Sequence, residues 1–211
     1  MQRLYYRGRA GCLQTMEEYD INEKYPEGTM MAILKIAKLG NPILRRVAAE
    51  VTPAEAQDPA FQQFLEDMTE TMRKLDGVGL AAPQVSLSKQ AIVIEANQNP
   101  RYPDAPDLPL LIILNPVLTR LADEKIEGWE GCLSVENLRG KVIRSARVGV
   151  KGFNRFMEPM ELDADGFLAV VFQHEIDHLS GRVFLDRMKD FSTLTHLAEF
   201  DRYWTGRQVE V

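Results

Sequence analysis

Two histidines and a glutamate at fixed spacing carry the strongest chemical signal in the chain. The stretch Phe172–Leu179 contains His174-Glu175-Ile176-Asp177-His178, an H-E-x-x-H pattern, and it holds two of the three histidines present. On a helix, positions i and i+4 lie about 40° apart around the axis, so both imidazoles share one face. Two neutral imidazoles placed in this way can bind one divalent metal. Glu175 lies about 100° round from His174. It is off the ligand face, yet within reach of a water on the metal, where a general base is needed. The same short pattern also arises on surface helices by chance, and on core helices whose histidines are simply hydrogen-bonded. A third ligand and a cleft must therefore come from elsewhere in the chain.

Two stretches offer that ligand. Downstream, Glu199 is placed much as one branch of zinc proteases draws a glutamate from a later helix, and His196 is a further option. Upstream, Cys132 stands in Trp129-Glu130-Gly131-Cys132-Leu133-Ser134, with Gly128 and Gly131 letting the backbone bend close to another element. A lone cysteine is ordinarily a small buried hydrophobe. A thiolate beside two imidazoles, however, makes a three-ligand site with one position open to water, the catalytic pattern. Coordination would also keep the thiol deprotonated near neutral pH.

The elements that would position these groups are legible in part. The chain has 211 residues, 45% apolar and 27% charged, an ordinary globular balance that suits one domain able to bury a core. A net charge of −6 argues against a nucleic-acid surface. No apolar run is long enough to span a membrane. Two cysteines, Cys12 and Cys132, are too few for a disulfide framework. With no secretory signal visible, they point to a reducing compartment, the cytoplasm ahead of an organelle. Residues 1–30 lack a clear period and read as an N-terminal extension, flexible or a non-native start, with Met31 as a candidate first residue. Residues 31–211 read as a single catalytic metallohydrolase domain.

Asp58-Pro59 is a helix start, and Phe61, Phe64, Leu65, Met68, Met72 and Leu75 follow at helical spacing up to Gly77. Residues 77–84 read as a loop that something approaches closely. Strands are expected around 89–96, at 110–114, in a second, more exposed piece at 116–126, at 141–153 and at 159–162. A proline-rich loop spans 99–109, and 163–166 reads as a turn. The His-bearing helix ends at Gly181, and 190–204 can form a last amphipathic helix. Strands and helices are segregated, so the expected class is α+β: largely antiparallel sheets packed around the central H-E-x-x-H helix, with a C-terminal helix. Phe167 and Val170, one to two turns ahead of His174, suit an apolar pocket and suit plain core equally well.

Three stretches taken together, Gly77–Gln84, Glu130–Ser134 and Gln173–Leu179, resemble in order and spacing the three motifs of peptide deformylase. The resemblance runs from about Met31 to the last helix. It implies a hydrolase that removes the formyl group from the N-terminal formyl-methionine of new polypeptides and releases formate. It further implies Cys132, His174 and His178 as metal ligands and Glu175 as general acid and base. By the same likeness, the Gln84 side chain and the Leu133 backbone N–H stabilise the developing oxyanion. Val78 and Gly79 bind the peptide backbone, and Arg139 contacts substrate. The family often uses ferrous iron (Fe2+), and zinc, nickel or cobalt suit the same donors. N-formylmethionyl nascent peptides are the implied partners, with a ribosome contact as a further expectation and no sequence-specific nucleic acid. The chain departs from the commonest pattern just after Ser134, where Val135-Glu136 stands in place of a motif that often carries proline two residues on. Two other readings are a metallopeptidase with Glu199 as third ligand, and a binding module whose structural metal is closed by four protein ligands.

Overall fold

The computed structural model describes residues 5–7, 13–15, 31–97, 99 and 107–205. The second helix shows how directly local chemistry sets an element. After a short α1 (Pro53–Ala56), α2 (Pro59–Lys74) begins where Asp58 accepts a hydrogen bond from the Ala60 N–H and Pro59 needs no partner for its missing donor. Its apolar stripe, Leu65, Met68 and Met72, is fully buried. The strands are β1 (Tyr5–Arg7), β2 (Leu13–Thr15), β3 (Gly79–Ala81), β4 (Ala91–Ala96), β5 (Leu108–Leu121), β6 (Lys125–Cys132), β7 (Val135–Ser145), β8 (Arg147–Phe153), β9 (Pro159–Asp165) and β10 (Thr195–His196). The remaining helices are α3 (Gly166–Leu179) and α4 (Leu197–Tyr203).

Among the described residues the strands form a seven-stranded sheet, ordered β2-β1-β9-β8-β5-β4-β3, and a three-stranded sheet, ordered β10-β7-β6. Neighbouring strands pair antiparallel, as the segregated pattern of elements led us to expect. Helix α3 touches β3, β4, β5, β8 and β9 of the large sheet and β7 of the small one, so it is the central helix. The period of two along β4 and β5 divides two cores. Ile92, Ile94, Leu111 and Ile113 face Leu168 and Phe172 of α3, while Val93, Ile112 and Leu114 face Leu65, Met68 and Met72 of α2. Burial on both faces explains why these strands read as continuous apolar runs. Each such side chain contributes about 1.5–3 kcal/mol of burial free energy.

Several elements differ from the sequence reading. Residues 77–84 hold β3, paired with β4 through Leu80↔Val93, and a 3-10 turn at Ala82–Val85. Three residues are too few to show a period, and their backbone bonds come from a distant strand. The expected pair 110–114 and 116–126 is mostly one strand, β5, which pairs with β4 up to Leu114 and with β8 beyond it. The partner switch falls at register shifts beside Asn115, whose φ is 50°. Residues 141–153 divide between β7 and β8 at Ala146, and β9 runs through the expected turn to Asp165. The last helix is shorter than 190–204. A 3-10 turn at Phe191–Thr193 and the two-residue β10 precede α4, because Thr195 and His196 pair with Arg139 and Leu138 of β7. Within residues 1–30, β1 and β2 pair with each other and β1 meets β9 at Tyr6↔Leu162. The rest of that extension, Cys12 included, and most of the proline-rich loop lie outside the described residues.

Candidate active site

The turn between β6 and β7 and one face of α3 bring the chemistry together. Cys132 ends β6 opposite Val135, so Leu133 and Ser134 form a two-residue turn that carries the thiol inward. Helix α3 is stopped by Gly181 at φ 71°, with the Gly181 N–H on the His178 carbonyl and the Arg182 N–H on that of Asp177. That stop leaves His174 and His178 one turn apart on the face toward Cys132. The ligand atoms of Cys132, His174 and His178 all lie within 4.8 Å of one another. His178 Nε2 stands 3.3 Å from Cys132 Sγ. His174 engages Glu130 Oε2 through Nδ1 at 2.8 Å, which leaves its Nε2 for the centre.

Behind these groups runs a buried ionic network. Arg144 donates two hydrogen bonds to Glu130, at 2.7 and 3.0 Å, and a third to Asp177 at 2.6 Å. Arg187 holds the other side of Asp177. The network orients His174 and ties β6, β7 and α3 into one unit. Gln173 adds a second tie, accepting from the Ser145 N–H at 3.0 Å and donating to the Ser145 carbonyl at 2.9 Å.

Gln84 approaches from the 3-10 turn after β3. Its Oε1 accepts from the Ala81 N–H at 2.8 Å, which turns Nε2 toward Cys132 Sγ at 3.4 Å and Ser134 Oγ at 3.3 Å. Gly79 closes against Glu175: a Cβ there would stand 2.8 Å from Glu175 Cδ. Glu175 is buried, and its Oε2 has no hydrogen-bond partner among the described residues; the same is true of His178 Nδ1.

Electrostatics match the geometry. Burial raises the Glu175 carboxyl to about 7, against the opposing pull of the two histidines. Burial would also raise Glu130, but His174 and Arg144 hold it down at about 2. Burial disfavours a Cys132 thiolate, yet His178 and His174 outweigh it and hold the thiol well below its ordinary value. His174 is raised well above its usual value because Cys132 and Glu130 overcome its own burial. A thiolate that gathers positive charge between two imidazoles marks a place where a cation fits. With both imidazoles neutral, the set offers three lone pairs to one metal ion. Glu175 balances near neutrality, as an acid–base group must.

Val78, Gly79, Gln84, Cys132, Leu133, His174 and Glu175 line a cleft of about 290 Å3, with Phe167 and Val170 on its apolar wall. His178 lies behind it. Arg139 is brought close but does not line the cleft; its guanidinium covers Gly131 and sits 5.9 Å from the Phe200 ring. Glu199 and His196 are exposed and stand outside the ligand group, which removes the downstream third ligand. Reading the sequence missed Glu130, Arg144, Asp177, Gln173 and Ser134 as working groups. One signal was available for Arg144. Gly140, Val142 and Arg144 alternate on the buried face of β7, and a charge in the buried phase of a strand demands a partner.

An α+β fold whose central H-E-x-x-H helix meets a cysteine thiol and a buried glutamate defines a metal-dependent hydrolase. Residues 33–193 match the family model of polypeptide deformylase, so the chain belongs to the peptide deformylase family. Peptide deformylase of Leptospira biflexa serovar Patoc is 42% identical over 173 residues, covering 81% of this chain and 96% of that protein. Peptide deformylase 1 of Bordetella pertussis is 46% identical over 158 residues, covering 74% and 88%. The class I type b peptide deformylase of Acinetobacter baumannii, solved with Met-Ala-Ser bound, superposes with a TM-score of 0.73 at 41% identity, covering 75% of this chain and all of that one.

Proposed function

We propose that this centre hydrolyses the N-formyl group of formyl-methionyl peptides, with Cys132, His174 and His178 holding one divalent metal ion. The observation that carries the reading is Glu175. It is a buried carboxylate with one unpaired oxygen, balanced near neutrality and set between the ligand trio and Gly79. A divalent ion held there would supply Lewis acidity and bring a water toward ionisation near neutral pH. Glu175 takes the proton of the attacking water and passes it to the departing amine. The Gln84 amide and the Leu133 N–H donate to the formyl oxygen as negative charge develops, a donor of this kind being worth roughly 3 kcal/mol.

The peptide lies extended. Among the described residues, strands β3 and β6 are both edge strands, and residues of both line the cleft, so a substrate can add to either edge. Val78 and Gly79 serve one side. Arg139 supports the other side through the Gly131 backbone that it covers. Phe167 and Val170 receive the methionine side chain. That a relative was solved with Met-Ala-Ser bound supports a peptide beginning in methionine. The donor set suits ferrous iron as the native ion and zinc, nickel or cobalt as substitutes. Metal analysis with activity measured anaerobically decides among them. Residues 31–211 are proposed as the catalytic unit, and a bacterial cytoplasm as its location, the relatives named above being bacterial. Nascent chains are the proposed substrates, and co-sedimentation with ribosomes tests a contact there. Assay of formylated against unformylated methionyl peptides, with Glu175→Gln alongside, tests the whole. Only the formylated peptide turns over. The variant keeps its metal and loses about 100-fold or more in kcat; an active Glu175→Gln enzyme would falsify the assignment.

A further inference from the structure

We propose that Lys38 is a positioning residue that fixes the Leu133 peptide for its part in the reaction; this rests on the role given to Leu133 above. Residues 37–39 cross the two segments assigned to the oxyanion. The Ala37 N–H donates to the Gln84 carbonyl at 2.7 Å, and the Leu39 N–H donates to the Ser134 carbonyl at 2.7 Å. Between them, Lys38 Nζ donates to the Leu133 carbonyl at 3.2 Å and pairs with Glu136 Oε2 at 3.2 Å. Both carbonyls of the two-residue turn that follows Cys132 are thus captured from one short segment. The Leu133 carbonyl shares one rigid peptide plane with the Ser134 N–H, which donates to Cys132 Sγ at 3.4 Å, so Lys38 and Cys132 hold that plane at both edges. With Cys132 itself paired to Val135, the Leu133 Cα between them is fixed, and with it the direction of the N–H on its other side. Glu136 is also where the sequence departs from the family pattern. A proline there would stiffen the backbone through its ring; this chain places an ion pair at the same point.

The experiment compares Lys38→Met, Lys38→Arg and Glu136→Gln with the wild-type holoenzyme on a formyl-methionyl peptide. Lys38→Met lowers kcat about 5-fold with KM, bound metal and melting temperature unchanged. Lys38→Arg restores most of the loss, and Glu136→Gln gives a smaller fall. The Lys38 and Glu136 side chains are 49% and 64% exposed, so added salt narrows the gap between wild type and Lys38→Met. Amide exchange at Leu39 quickens in Lys38→Met, whose turn is no longer clamped. An unchanged kcat, or a loss that tracks metal content or melting temperature, overturns the proposal. A wild-type enzyme without activity on the formylated peptide overturns the assigned function instead. In that case, unchanged exchange at Leu39 still overturns the clamp, and faster exchange sustains it.

Discussion

Gly79 stands where a methyl group would collide with the Glu175 carboxylate, so one hydrogen atom there protects the position of the proposed general base. Gly79→Ala is expected to keep the metal and lose about 100-fold in kcat, the scale of a 1 Å misplacement at a reacting group. Steady-state kinetics beside metal analysis checks this, and full activity in the variant would show that Glu175 has room to move. Glu130 works one step behind. Through His174 Nδ1 it sets which imidazole nitrogen faces Cys132, and Arg144 keeps it ionised. Glu130→Gln keeps the shape and removes the charge, so metal affinity should fall about 10–100-fold. Competition with a chelator of known affinity reads that change directly.

The elements around these residues owe their ends to local chemistry and their places to distant partners. In α1, Thr52 and Glu55 form a reciprocal capping box, and Lys89 pairs with Glu55 from the segment before β4. The hydrogen bond from Lys89 is the largest of the influences that bring Glu55 down to about 2, followed by those from Thr52. A folded-state pKa below the unfolded one means that the stabilisation is fully present above the ordinary carboxylate range. It is lost as pH falls from about 4.3 toward about 2. Wild type should therefore exceed Glu55→Gln in urea midpoint at pH 6, with the gap shrinking at pH 4 and below; a pH-independent gap would refute the linkage. The effect is small because the group is exposed. Helix α3 shows the other case. Its two histidines are set by its own period, whereas its tilt toward Cys132 depends on Gln173 and Asp177 gripping β7.

At the scale of the molecule, two sheets share one helix and the centre sits where they meet. A metal held by Cys132, His174 and His178 would tie the small sheet to α3, and so would bind the folded state in preference to the unfolded one. Stripping it with a chelator should lower the melting temperature and restoring it should raise it, by an amount that grows with free metal. Calorimetry across a metal titration measures this, and a melting temperature indifferent to metal would argue against the site. The H-E-x-x-H helix, the capped α2 and the apolar runs of β4 and β5 are legible in the order of residues alone. Each rests on a period or a cap written within a few neighbouring residues. The likeness of three short motifs to one family was legible in the same local way. Three facts come from the folded chain alone: Cys132 and not Glu199 stands with the two histidines, β5 changes partners at Asn115, and Arg144 joins Glu130 to Asp177. These facts depend on contacts between residues far apart in the chain. Local periodicity carries no record of which distant strand meets a helix; the burial of the two cores settles it.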